Sequence, residues 1–191
     1  MQAFRLRWHH FVWVHVLAIP LLNTLMAQDI HSPSSLAEQE LLQVVSEAER
    51  KFLSLAEALP EEQYNWRPGE EVRSVAEVCM HVAGNNYWWP TLLGYAPPGE
   101  ISIPENYETV EVYEVPGTKA EVLNALRASF AHFRHVLSQV PDSRLNEPMD
   151  IFGTPGTVRS FLIAATVHFH EHLGQSIAYT RVNGIVPPWS R

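Results

Sequence analysis

Apolar residues recur at three- and four-residue steps in four separate stretches of the chain. This spacing lays one side of an α-helix against a core. In the first stretch Leu41, Val45, Ala48, Phe52, Leu55 and Leu59 form the stripe. Ser34 or Ser35 is placed to cap it, and Pro60 ends it. The second opens at Ser74, with Glu77 where a capping box requires it, and runs to about Leu93, with Pro90 placed to kink or shorten it. The third is capped by Thr118 and carries Val122, Leu126, Phe130, Phe133, Leu137 and Val140. The fourth opens at Thr157 and runs to about Asn183, with Gly184 as a C-terminal stop. Four helices, each with one apolar stripe, predict an all-α fold, a four-helix bundle.

The segments between the stripes are long. Glu61 to Arg73 contains the turn sequence Trp66-Arg67-Pro68-Gly69, and Gly94 to Gly117 is rich in Pro and Gly. Pro141 to Gly156 is read as a further loop with a Thr-Pro-Gly turn. Thr109 to Val115 alternates as a strand would, but a single run has no partner to pair with, so it is read as extended loop. Loops of this length allow crossover connections in place of simple up-and-down hairpins.

The N-terminal residues follow a different pattern. Arg5 and Arg7 form a basic segment, Phe11 to Leu22 is apolar apart from His15, and Ala27 offers a small residue for cleavage. Residues 1–27 therefore read as a secretory signal peptide, which would make the protein periplasmic or extracellular. The alternative is an uncleaved membrane anchor, against which three His and one Pro between Trp8 and Met26 weigh. The bundle domain spans residues 34–189. Net charge is −8, and loss of the two arginines on cleavage would leave −10. With no Lys/Arg run, nucleic-acid binding lacks its electrostatic footprint. The one cysteine, Cys79, excludes an intrachain disulfide, and it lies about 200° around the helix from His81.

Candidate chemistry sits on two of the helices. His168 and His172 lie one turn apart on one side of the fourth helix, and His81 lies on the second. Three neutral imidazoles converging on one divalent ion would leave a coordination position open. Their nearest ring nitrogens are then expected within about 4 Å of one another, since metal–nitrogen bonds are near 2.0–2.1 Å. The zincin pattern is absent: Phe169 follows His168, and Glu171 stands before His172, so a metalloprotease would lack its base. Gln175 and Tyr179 share the His168/His172 side, with Gln175 placed to hydrogen-bond a bound ligand or water. Asn85 and Trp88 share the His81 side. His170 faces away, and His132 and His135 belong to the solvated side of the third helix or its edge.

The turn Trp66-Arg67-Pro68, the run Ser74-Val75-Ala76-Glu77 leading to His81, the segment from His168 through His172 to Gly174-Gln175, and the Tyr179-to-Pro188 ending resemble the DinB-like (YfiT-like) family. The resemblance covers about residues 34–189. It implies a bundle with crossed connections and one divalent transition metal (Zn, Ni or Fe) on His81, His168 and His172. It further implies activities that include thiol-dependent transfer. Export sets this chain apart, because low-molecular-weight thiols are chiefly cytosolic.

Two functions follow as expectations. One is a metal-dependent hydrolase or thiol-dependent transferase acting on a small-molecule substrate, the metal lowering the pKa of a water or thiol. The other is a non-catalytic metal- or ligand-binding bundle of the cell envelope. A homodimer is the assembly left open. An open cleft beside the histidines favours chemistry, and a fourth protein ligand favours a structural metal.

Overall fold

A computed structural model describes residues 36–99, 101 and 117–190. The expected signal peptide, the Ser34/Ser35 cap and the Thr109–Val115 run lie outside the described residues. The four helices are α1 (Leu36–Ala58), α2 (Val75–Thr91), α3 (Lys119–Leu137) and α4 (Val158–Val182). Among the described residues no helix is long and apolar enough to cross a membrane.

Local chemistry starts and stops these helices where the sequence indicates. Ser74, Thr118 and Thr157 each accept a hydrogen bond from the backbone N–H three residues on, and the side chains of Glu77, Glu121 and Ser160 return the bond. Two orphan donors are satisfied at each start. Pro90 falls in the last turn of α2, and the helix ends one residue later. Gly184 follows α4 with φ +77°, a left-handed position suited to glycine.

The stripes meet in one core. Phe52, Phe130, Phe161 and Phe169 are among its largest fully buried side chains. Phe169 meets Phe133 and Phe130 edge-on, with ring centres 4.9 and 5.6 Å apart. In α2 the single-stripe expectation fails. Fourteen of its 17 residues are buried, so it is covered nearly all round, as a central helix must be.

The facing pairs are α2 with α3, α3 with α1, α1 with α4, and α4 with α2. The order around the bundle is therefore α1-α3-α2-α4, so α1 stands diagonal to α2 and α3 to α4, while α2 and α3 face each other. Crossover connections are present between α1 and α2 and between α3 and α4, while the longest loop joins the facing α2 and α3. The histidine-bearing helices α2 and α4 become neighbours through this crossing.

The segment from Pro141 to Gly156 is more structured than expected. It contains a two-stranded antiparallel ribbon, β1 (Pro148–Ile151) and β2 (Thr154–Thr157), in which Ile151 pairs with Thr154 and Pro148 with Thr157. Phe152 and Gly153 make the two-residue turn, with φ +53° and +85°. Such a turn matches the strand twist but needs positive φ at both central positions.

Candidate metal centre

His81, His168 and His172 come together. Each offers one ring nitrogen, and these atoms all lie within 4.8 Å of one another. The Nε2 atoms of His81 and His168 are 3.2 Å apart. In a tetrahedral site with bonds near 2.1 Å, ligand nitrogens stand about 3.4 Å apart. The 4.8 Å limit is looser than the expected 4 Å, and a small inward movement of the rings would bring them to ligating distance. Among the described residues no fourth His, Cys, Asp or Glu joins the group.

The protonation states suit a cation. His168 is held down to about 3, by burial first and then by the charges of His172, His81 and Arg73. His172 is also lowered, by burial above all, with Gln175 pulling the other way. Imidazoles held neutral, as those of His168 and His172 are, are what a borderline metal ion binds.

A hydrogen-bond relay fixes the tautomer of His172. The Arg73 carbonyl can only accept, and Tyr179 Oη donates to it at 3.1 Å. Gln175 Nε2 donates to Tyr179 Oη at 2.8 Å, which leaves Gln175 Oε1 to accept from His172 Nδ1 at 2.9 Å. The proton is thus assigned to Nδ1 by the network, and Nε2 is left with its lone pair. The relay is anchored in turn by Trp66, whose ring meets that of Tyr179 edge-on at 5.3 Å. The Trp66 carbonyl accepts from the Val75 N–H at the start of α2, and Arg67 bonds the capping carboxylate of Glu77 at 2.8 Å. One turn therefore ties the α2 start to the support of His172.

On the α2 side, Asn85 is fully buried and donates to the His81 carbonyl at 2.9 Å. Its Nδ2 also lies 3.4 and 3.5 Å from the two ring nitrogens of His81. Asn85 thus packs against the imidazole it was expected to accompany.

A cleft of about 520 Å³ opens beside the centre, lined by Trp89, Phe152, Ala164, Val167, His168 and Glu171. The Trp89 ring stands 6.0 Å from that of His168.

A profile of the DinB superfamily matches residues 45–176. The chain belongs to the DinB superfamily. Solved structures with the same fold include a conserved protein from Enterococcus faecalis, 19% identical, with a TM-score of 0.64 over 78% of this chain and 97% of that one. A DinB-like protein from Bacillus cereus is 18% identical, with a TM-score of 0.61 over 78% and 95% of the two chains. A DinB-like protein from Bacillus subtilis is 20% identical, with a TM-score of 0.55 over 76% and 92%. At these identities the likeness is one of fold. Comparison with curated proteins gives no significant match.

The other histidines of this DinB-superfamily bundle stay out of the centre. His170 is exposed, with its Nδ1 2.9 Å from the Thr166 carbonyl. His135 is exposed, and His132 is half-buried with its ring 5.2 Å from that of Tyr87. Cys79 packs among Phe52, Leu55 and Ala56, where burial pushes its thiol up to about 12. It is no nucleophile at neutral pH. Trp88 is buried and meets both Trp89 and Phe152, while Trp89 is the tryptophan that lines the cleft. Glu171, Phe152 and Arg73 were missed by sequence reasoning. Glu171 alone carried a signal, since it sits three residues beyond His168 and so flanks the same side of α4.

Gln175 faces His172 rather than an open position. Gln175→Ala is therefore expected to lower metal affinity about 10–100-fold, the range for losing a hydrogen bond behind a ligating His. Tyr179→Phe, which keeps the ring on Trp66, should cost less. Calorimetric titration with Zn²⁺ checks both, and unchanged affinity in Gln175→Ala would remove the relay from the account.

Proposed function

We propose that His81, His168 and His172 hold one divalent transition metal (Zn, Ni or Fe) and that the protein is a metal-dependent hydrolase of a small-molecule substrate. The observation that carries this reading is the three-imidazole cluster at the edge of an open cleft. A divalent ion with a free position acts as a Lewis acid and makes a water or thiol nucleophilic near neutral pH. The residues around it supply the rest. The relay from Arg73 through Tyr179 and Gln175 orients His172. Glu171 lines the same cleft as His168, and its charge bears on His172, so it is the carboxylate placed to take a proton. Thiol-dependent transfer would use the same open position, with the thiol brought by a small molecule because Cys79 is buried.

The protein is further proposed to act outside the cytoplasm after cleavage behind Ala27, a reading supported by the basic and apolar pattern of residues 1–27.

Metal content by mass spectrometry, followed by ester, amide and thiol-conjugation assays with and without chelator, tests the enzyme reading. One metal per chain is expected, with turnover lost on chelation and restored on metal return. Metal without turnover on any of these substrates leaves the non-catalytic binding bundle as the better reading. Intact-mass measurement of envelope fractions should find a chain starting at Gln28. A full-length product in the membrane would favour the anchor.

A further inference from the structure

Phe152 occupies an uncomfortable position. Its φ of +53° places a bulky aromatic residue in the left-handed region, where Gly, Asn and Asp are the usual occupants. It is also 63% exposed, so burial does not repay the conformation. What the conformation achieves is placement. The ring stacks on Trp88 with centres 5.8 Å apart and planes 10° from parallel, and it meets Trp89 edge-on at 5.4 Å. Trp89 continues the aromatic surface to His168. Ala164 and Val167 supply the facing aliphatic wall, and Glu171 the polar rim. Strain held at one residue beside a candidate site is the kind of outlier that points to use.

We infer that Phe152 and Trp89 form, with Ala164 and Val167, a subsite for a planar apolar group on the small molecule whose head reaches the three-histidine centre. This rests on the proposed metal reading and adds the substrate class to it. A flat ring is the shape that fits, because it can stack or meet edges with two aromatic walls at once. A carboxylate on that ring is disfavoured by Glu171, so the group is neutral or cationic.

The test uses the full chain loaded with Zn²⁺ and two metal-binding probes with uncharged tails, acetohydroxamate and benzohydroxamate. Binding is followed by calorimetry and by tryptophan fluorescence. Benzohydroxamate should bind at least about tenfold more tightly, the added ring burying apolar area. Phe152→Asn suits the turn conformation and removes the ring. It should bring the two probes to near parity while acetohydroxamate binding stays unchanged, and Phe152→Tyr should keep the preference. Equal binding of the two probes to the wild-type chain overturns the inference and leaves the metal centre intact. So does a benzohydroxamate preference that survives in Phe152→Asn. If the chain retains no Zn²⁺, the metal reading itself fails and the subsite falls with it.

Discussion

Replacing His172 by Ala is expected to remove metal from the protein, while His170→Ala leaves metal content unchanged. The two residues are two positions apart on α4, so their side chains leave the helix about 200° apart. His172 joins the cluster within 4.8 Å, and His170 bonds the Thr166 carbonyl on another side. Loss of a ligating nitrogen should cost more than the roughly 10–100-fold attached to a supporting hydrogen bond. His81→Ala and His168→Ala should match His172→Ala. Zn²⁺ titration and metal analysis of the four variants check this, and equal loss in His170→Ala would show that the assignment of ligands is wrong.

The metal-free protein is expected to lose stability as pH falls from about 6.5. His168 titrates near 3 in the folded chain against 6.5 as its ordinary value, and His172 is lowered too. Between these limits the unfolded chain binds protons that the folded chain does not. The stabilisation is therefore complete above pH 6.5 and drains away as pH falls toward 3. At pH 4.5 His168 alone accounts for about 3 kcal/mol, at roughly 1.4 kcal/mol per pH unit. That corresponds to a fall in Tm of roughly 6–12 °C for a chain of this size. Carboxylates held low, such as Glu47 at about 2 against 4.5, contribute mainly below about pH 5, and His132, lowered by burial, adds to the slope above it, so the cluster's share is the part that a variant within it removes. Thermal unfolding in chelator across this pH range should show the slope, and His168→Gln should flatten it. An unchanged slope in His168→Gln would mean that the cluster is not the source. Protons compete for the same nitrogens as the metal, so acid should also release bound Zn²⁺.

The sequence shows most of the helices and the heart of the centre because both obey one period. Apolar steps of three and four place Phe52, Phe130 and Phe133 in the core. The same angular rule separates His168 and His172 from His170. Ser74 with Glu77 and Thr118 mark helix starts because capping is local chemistry. The ribbon Pro148–Thr157 escaped because its strands are four residues each and include Pro148 and Pro155, and because β2 does not alternate. Its register depends on the turn at Phe152-Gly153. The cleft was equally hidden, since Phe152 comes from a loop and reaches Trp89 only in three dimensions. Gln175 was placed on the right side of α4, but its bond to His172 depends on the side-chain rotamer and on Arg73 from a distant turn.

The diagonal placement of α1 against α2 and of α3 against α4 bears on how the chain reaches this state. Neither α1 with α2 nor α3 with α4 forms a facing pair, so of the consecutive helices only α2 and α3 can pair early as neighbours. His81 and His168 are 87 positions apart, and closing such a loop costs chain entropy before any contact repays it. The bundle should accordingly fold more slowly than an up-and-down bundle of equal length, whose contacts are local. The three-histidine pocket cannot form in a nascent chain until α4 has emerged, so any metal would enter only after that helix is in place.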